Sequence, residues 1–429
     1  MLARTIYALS SGNPPAAIAV VRISGPEASG ALTSLAGRLP KPRRASLVAL
    51  RHPSTGELLD NALALFLPGP GSATGEDSAE LHLHGGRSVV RAVLAALAAV
   101  PGLREAQPGE FTRRAFENSR IDLAEAEGLA DLLLAETESQ RRAALALAGG
   151  VLSRLVEAWQ HSLLQISARL EAMLDFADEG DVQEELPLVD YAALKALVHE
   201  IQSILDRPGA ERLRDGVRVV IAGPPNSGKS SLLNRLAGRQ AAITSAVAGT
   251  TRDLVEAPTA IGGTPFLLID TAGLRDSGDE VEAIGIERAL ETLSSADLIL
   301  WLGDPRGCPD RSRAINVRSM ADLGTNLSHL DADVLVSSET GEGIDELVHL
   351  IITRSRALLP PEGEVALNLR HRSALSDCLF HLREGEHSLD PVIVSESLRQ
   401  ARNALDSITG RAGVEDMLDA LFGRFCIGK

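Results

Sequence analysis

Gly223-Pro224-Pro225-Asn226-Ser227-Gly228-Lys229-Ser230 decides how this chain is read, because it fits G-x-x-x-x-G-K-[ST] and lies between two elements of different period. Before it, Val217 to Ala222 is a compact apolar run of strand type; after it, from near Ser230, the spacing turns helical. A glycine-rich turn in that place can aim backbone N–H groups at the α- and β-phosphates of a nucleotide. Lys229 can then reach the β- and γ-phosphates, and the Ser230 hydroxyl can hold magnesium. An ordinary glycine turn at a strand end needs neither the lysine nor the hydroxyl. The loop therefore predicts a nucleotide-binding α/β domain in which Asn226, Ser227, Gly228, Lys229, Ser230 and Ser231 line the phosphates. Further strands are expected at 265–269, 298–302 and 333–336, and Leu359-Pro360-Pro361 breaks the pattern at the domain's end.

Asp270-Thr271-Ala272-Gly273 closes the next apolar strand and matches D-x-x-G, in which Asp270 binds magnesium directly or through water and the Gly273 N–H senses the γ-phosphate. Between the two motifs, Gly249-Thr250-Thr251-Arg252-Asp253 reads as a first switch, with Thr251 completing the magnesium shell only when γ-phosphate is present. Leu274 follows Gly273 and has no group that could orient water, so another residue must do so. The run Asp279-Glu280-Val281-Glu282 offers carboxylates for that role, although a solvated charge run is the simpler reading of those residues alone.

Outside this domain the period changes twice. Residues 1–118 alternate short β-branched runs with turn clusters, as in Ala17 to Ile23 and Glu80 to His84, and predict a small α/β domain. Residues 119–212 are helical, with Leu163, Ile166, Leu170 and Met173 on one face and breaks at Gly149-Gly150 and in the acidic stretch 175–185. After the nucleotide-binding domain, 213–360, helical spacing returns over 361–429 through Leu375, Leu379, Leu382, Leu398, Ala401, Leu405 and Ile408. One helical region split by an inserted domain accounts for both halves, since each amphipathic helix needs a partner to cover its stripe. A chain of 429 residues, 45% hydrophobic, suffices for two or three such domains.

The net charge of −16 disfavours nonspecific coating of nucleic acid, so any RNA contact must come from local patches. Cys308, Cys378 and Cys426 are too widely spaced for a zinc cluster and odd in number for a disulfide framework, which fits a reducing cytosol. The first residues lack a signal-peptide pattern and no stretch approaches the ~20 apolar residues of a membrane span. A cytoplasmic protein without membrane contact is expected.

The residues Asn226, Gly249 to Asp253, Asp270 to Arg275 and the terminal Phe425-Cys426-Ile427-Gly428-Lys429 resemble the MnmE (TrmE) family of tRNA-modification GTPases. The likeness extends to Arg22-Ile23-Ser24-Gly25, Thr74-Gly75-Glu76-Asp77 and the stretch from Pro108-Gly109-Glu110-Phe111-Thr112 to Asp122-Leu123-Ala124, and so covers nearly the whole chain. The resemblance implies a multidomain α/β plus all-α architecture with an inserted Ras-like G domain. It also implies an N-terminal domain that forms a homodimer and binds 5-formyltetrahydrofolate or a related one-carbon tetrahydrofolate. Arg22, Glu80, Arg120 and Lys429 stand at the folate contacts; position 120 keeps the charge where many relatives have lysine. In this family potassium takes the place of an arginine finger, and its ligands fall here on Asn226, Ser245, Val247 and Thr250. Ser245 replaces a commoner threonine and Val247 can offer only its carbonyl, so no oxygen ligand is lost.

By the same resemblance Glu282 is the catalytic acid that orients the attacking water through a second water. A flavin-containing (FAD) partner, MnmG, would join in adding an aminomethyl or carboxymethylaminomethyl group to carbon 5 of the wobble uridine of certain tRNAs. Cys426 is the residue suspected in that chemistry. A thiolate nucleophile activated by a neighbour such as Lys429 and a buried helix cysteine both remain open for it.

The chain departs from the GTPase pattern where the base is read. Ser319-Met320-Ala321-Asp322 stands in place of N-K-x-D, leaving Asp322 to pair with guanine N1 and N2, and Ser337-Ser338-Glu339 replaces S-A-K while keeping a backbone N–H for guanine O6. Weaker nucleotide binding or relaxed base choice is expected. The stretch from Pro305 to Ala314 is short for the usual helix. Two other functions fit parts of the sequence: an Era-like ribosome-assembly or RNA-binding GTPase, and a folate-dependent one-carbon transferase with a degenerate, regulatory G domain.

Overall fold

The computed structural model describes residues 4–175, 190–238, 255–271, 290–323, 332–361, 363–411, 415–423 and 425–429. They form two compact units, Met1–Ala130 with Thr409–Lys429, and Asp131–Ile408.

The first unit is built on strands β1 (Thr5–Leu9), β2 (Ile18–Ser24), β3 (Ser46–Arg51), β4 (Leu58–Leu67), β5 (Ser78–His84) and β6 (Leu103–Glu105), in the order β3-β4-β5-β2-β1-β6. Neighbours run antiparallel, except that β6 runs parallel to β1. Alternation sorts each strand's side chains onto two faces. Ala19, Val21 and Ile23 join Leu81 and Leu83 in a core with the helices Ala28–Ala36 and Arg87–Ala98. Fully burying each Val, Ile or Leu there stabilises the fold by about 1.5–3 kcal/mol. Arg22 and Glu80, directly opposite across β2 and β5, fall on the other face.

A second cluster, Leu123, Phe422 and Phe425, packs Leu123–Leu134 against the C-terminal helix Glu415–Phe422. The tail then returns to the sheet: Ile427 bridges Pro108 in antiparallel fashion. Gly428 sits at φ +94°, and a Cβ built on it would lie 2.3 Å from the Leu9 carbonyl oxygen, so only glycine fits this close approach. Gly428→Ala is expected to release the tail. Amide exchange over 425–429 should rise while the cooperative unfolding of the unit shifts by no more than about 1–2 kcal/mol; unchanged exchange would show that the tail is held elsewhere.

The second unit carries β7 (Val217–Ala222), β8 (Val255–Ile261), β9 (Thr264–Asp270), β10 (Leu298–Trp301), β11 (Ala314–Arg318) and β12 (Val334–Leu335), ordered β12-β11-β10-β7-β9-β8. All pairs are parallel except the β8–β9 hairpin. Two strands escaped the sequence reading. In β8, Pro258 argues against a strand, but β8 is the sheet edge and pairs only with β9, where proline is tolerated. β11 is short and follows the charged run Arg311 to Arg313, which hides its onset. The only helical piece between β10 and β11 among the described residues is the 3-10 turn Pro305–Gly307, in agreement with the short connection expected there.

The remaining long helices are Glu138–Ala148, which packs on β9, and Val151–Asp175, Tyr191–Leu205, Leu369–His387 and Pro391–Thr409, of which Tyr191–Leu205 packs against Val151–Asp175 and Leu369–His387. Their apolar positions, including Leu163, Ile166, Leu170, Leu375, Leu379, Leu382, Leu398, Ala401, Leu405 and Ile408, are buried as the spacing predicts. Gly149-Gly150 separates two of the helices, and capping boxes at Thr137–Gln140 and Asn368–His371 fix two starts. The hairpin turn between β8 and β9 touches one of these starts, since the Ser139 N–H donates to the Gly263 carbonyl at 3.0 Å.

Candidate nucleotide-binding site

β7 is buried along its core positions, with Val217, Val219, Val220 and Ile221 at 0% exposure, so the chain must leave the sheet at Gly223 in a fixed direction. The loop that follows bends through Asn226 at φ +61° and Gly228 at φ +88° into the helix Lys229–Gly238. That helix is anchored beneath by Leu232, Leu233 and Leu236. Lys229 is 7% exposed, and its Nζ donates to the carbonyls of Gly223 at 3.2 Å and Pro224 at 2.8 Å. The ammonium is thereby held inside the turn whose amides face a phosphate. Asn226, Ser230 and Ser231 are exposed, and Ser227 and Gly228 half-buried, at the loop's rim.

Parallel pairing of β7 with β9 places Asp270 opposite Ile221. Asp270 is buried, and the Ser230 hydroxyl donates to its Oδ2 at 2.5 Å. A hydroxyl and a carboxylate meeting beside a phosphate loop are hard oxygen donors of the kind Mg2+ takes together with phosphate oxygens and water. The residues present fit that ion. Thr271 donates from Oγ1 to the Ile221 carbonyl at 3.0 Å, fastening the end of β9 to β7 rather than facing a ligand.

The base-reading segments converge on the same loop. Ser319, just past β11, donates from Oγ to the Ser227 carbonyl at 2.6 Å. Asp322 is exposed on the 3-10 turn Ala321–Leu323, and the Ala321 N–H donates to the Val336 carbonyl at 3.2 Å. This brings the turn beside Ser337, which is fully buried, gives its N–H to the Glu342 carbonyl at 2.9 Å and accepts from the Thr340 N–H at 3.1 Å. Ser337 thus shapes the loop, and the expected donor to guanine O6 falls to the half-buried Ser338 or its neighbour. Ser245, Val247, Thr250, Thr251, Ala272, Gly273 and Glu282 lie outside the described residues.

In the other unit, Arg22 donates to Glu80 Oε1 from Nε at 3.1 Å and Nη2 at 2.9 Å, while His82 Nε2 lies 3.3 Å from Oε2. The Arg22 guanidinium also stands 5.9 Å from the Phe111 ring centre. Burial pushes the Glu80 carboxyl up, but the Arg22 charge and hydrogen bonds from His82 and Arg22 outweigh it and hold it below the usual carboxylate range. Arg120 is exposed, and its stem lies over Gly75: a Cβ built there would be 3.3 Å from Arg120 Cγ. Lys429 is half-buried at the end of the tail seated on Leu9.

Cys426 is exposed in that tail, which removes the buried-helix reading of it. Cys378 is the buried cysteine, its thiol pushed up to about 12 by burial and so inert. Among the described residues no cluster of His, Cys, Asp and Glu could hold a metal by itself, and no helix is long and apolar enough to cross a membrane.

The sequence reading missed the ion network of Arg114, Glu76, Glu110 and Arg104, and the tie from Ser319 to the phosphate loop. A serine where asparagine is usual was the one available signal for the second.

The parallel sheet, the lysine in its turn and the Ser230–Asp270 pair define a P-loop GTPase. The family model for the MnmE helical domain matches residues 123–426, and that for the GTP-binding protein TrmE N-terminus matches residues 5–120. The tRNA modification GTPase MnmE of Rhizorhabdus wittichii is 60% identical over 429 residues, covering 99% of this chain and 96% of that one. Its counterpart in Erythrobacter litoralis is 55% identical over 426 residues, covering 99% and 100%. The G domain of the T. maritima FeoB iron transporter is 27% identical over 32% of this chain and 98% of its own, with a TM-score of 0.25. The chain belongs to the MnmE family.

Proposed function

We propose that this protein hydrolyses GTP with potassium as its charge-supplying cation and couples that step, with an MnmG-like FAD-containing partner, to modification of carbon 5 of the wobble uridine of certain tRNAs. The observation that carries the reading is the buried Lys229 ammonium beside the Ser230–Asp270 pair, in a chain that matches a member of this family over 99% of its length. Ser230 and Asp270 would hold Mg2+, with Thr251 joining them, and the ion would draw charge from the phosphate oxygens. Asn226, Ser245, Val247 and Thr250 would hold K+, and Glu282 would orient water. The chain's own part is to place the phosphates against Lys229 and the loop amides.

For the N-terminal unit we propose folate binding at Arg22, Glu80, Arg120 and Lys429. A carboxylate kept ionised beside an arginine suits the N–H edge of a pterin, and free cations suit the glutamate tail. The exposed Leu47 and Leu63, opposite one another on β3 and β4 at 69% and 45% exposure, support a homodimer through that sheet. Domain limits at 118, 212 and 360, a cytoplasmic location and a nucleophilic role for Cys426 belong to the same proposal. The Era-like and transferase readings lack an equivalent observation.

Nucleoside analysis of tRNA from a strain lacking the gene tests the function: the wobble modification should vanish and return with the wild-type gene only. Exchange of K+ for Na+ is expected to slow GTP hydrolysis by purified protein by about a thousandfold or more, since the lost cation acts where an arginine finger acts elsewhere. Equal rates in both salts would remove potassium from the mechanism.

A further inference from the structure

The segment that should read the base is tied to the phosphate loop in a way that leaves it few donors. The Ser319 hydroxyl gives its proton to the Ser227 carbonyl at 2.6 Å, so it has none left for an acceptor on the base. Met320 follows at φ +61°, a left-handed conformation that costs an ordinary side chain about 1–2 kcal/mol. It is held there from both sides, by the Ser319 tie before it and the Ala321 N–H to the Val336 carbonyl after it. The strained backbone leaves a large apolar side chain 40% exposed at the loop. A Cβ built on Gly228 would lie 3.8 Å from Met320 Cε and 3.6 Å from Ser319 Cβ, so the thioether rests against the turn that cradles the phosphates. Strain of this kind persists only where the surroundings hold it, and it clusters at ligand-binding and switch sites.

We propose that Met320 is a purine-binding residue whose thioether covers the ring of a bound nucleotide without distinguishing one purine from another, so that base choice is left to Asp322. A polarizable sulfur packs on any aromatic face, whereas a carboxylate pairs with guanine N1–H and N2–H and finds no such pair on adenine. The substrate class is therefore purine nucleoside triphosphates with a narrow guanine preference. This inference rests on the phosphate-loop reading of the same site.

Full-length protein is titrated with GDP and ADP by competition against a fluorescent nucleotide, as wild type, Met320→Ala and Asp322→Ala. Met320 is partly exposed, so its loss leaves the core intact. One charge-assisted pairing gives a GDP preference of about 10- to 150-fold in the wild type. Met320→Ala should weaken both nucleotides alike by about five- to tenfold, and Asp322→Ala should weaken GDP only. A wild-type preference beyond about ten-thousandfold, of the kind a fully paired polar pocket gives, overturns the proposal. So does a Met320→Ala variant that loses one nucleotide selectively. If folded wild type takes up neither, the phosphate-loop reading itself falls and this inference with it.

Discussion

Lys229→Ala is expected to lower the GTP hydrolysis rate by about a thousandfold or more, the scale on which charge stabilisation of a transferring phosphoryl group operates. The ammonium lies inside the turn, 7% exposed and hydrogen-bonded to the Gly223 and Pro224 carbonyls, so the loop holds its charge where a phosphate would meet it. Little reorganisation is then needed when the β- and γ-phosphates arrive, and a preorganised charge in a water-poor site acts more strongly than one in bulk solvent. The variant should still fold, because Leu232, Leu233 and Leu236 anchor the helix independently of the lysine. Single-turnover phosphate release at saturating GTP, together with circular dichroism of the same sample, separates the two effects. A loss under tenfold with the fold intact would mean that the charge reaches the γ-phosphate from elsewhere.

The lysine and its neighbours were legible in sequence for a physical reason that does not extend to the rest of the site. β7 is an apolar run interrupted only by Arg218 and bounded by Gly216 and Gly223, and such a run has one reading when a glycine-rich turn and a helix follow. Asp270 was legible for the same reason, at the end of β9. The edge strand β8 was not, because exposure on one side lets it carry Glu256 and Pro258 without cost to the core. Nor could spacing show that Ser319 reaches the Ser227 carbonyl, since the contact joins segments far apart in the chain. Arg22 and Glu80 needed the resemblance to be singled out; only the register of β2 and β5 shows them to be opposite one another.

Arg114→Met should destabilise the N-terminal unit by about 3–5 kcal/mol, the cost of removing one partner from a buried ion network. The side chain is 8% exposed, and Nη1 donates to Glu76 Oε2 at 2.9 Å while Nη2 donates to Glu110 Oε1 at 3.1 Å and to the Arg4 carbonyl at 2.7 Å. Glu76 also accepts from the Ser24 hydroxyl at 2.8 Å, so the arginine ties the loop carrying Thr74 to the start of the sheet beside Arg22. Glu110 keeps Arg104 when Arg114 is lost, and the larger share of the cost falls on Glu76.

The pH dependence follows from Glu110. Burial raises its carboxyl, but the hydrogen bond from Arg104, the Gln107 N–H, the Arg104 charge and the bond from Arg114 together hold it below the usual range. A depressed folded value stabilises above the unfolded pKa of about 4.3 and is lost as pH falls through the folded one. Removing Arg114 subtracts from that depression, so Glu110's part of the deficit should be complete at pH 7 and close progressively below about pH 4. Urea unfolding of wild type and variant from pH 7 to pH 3, followed by fluorescence of a probe attached at the exposed Cys426, reads the difference in this unit. A deficit below about 1 kcal/mol at pH 7 would place Arg114 among surface pairs of little consequence, against its burial.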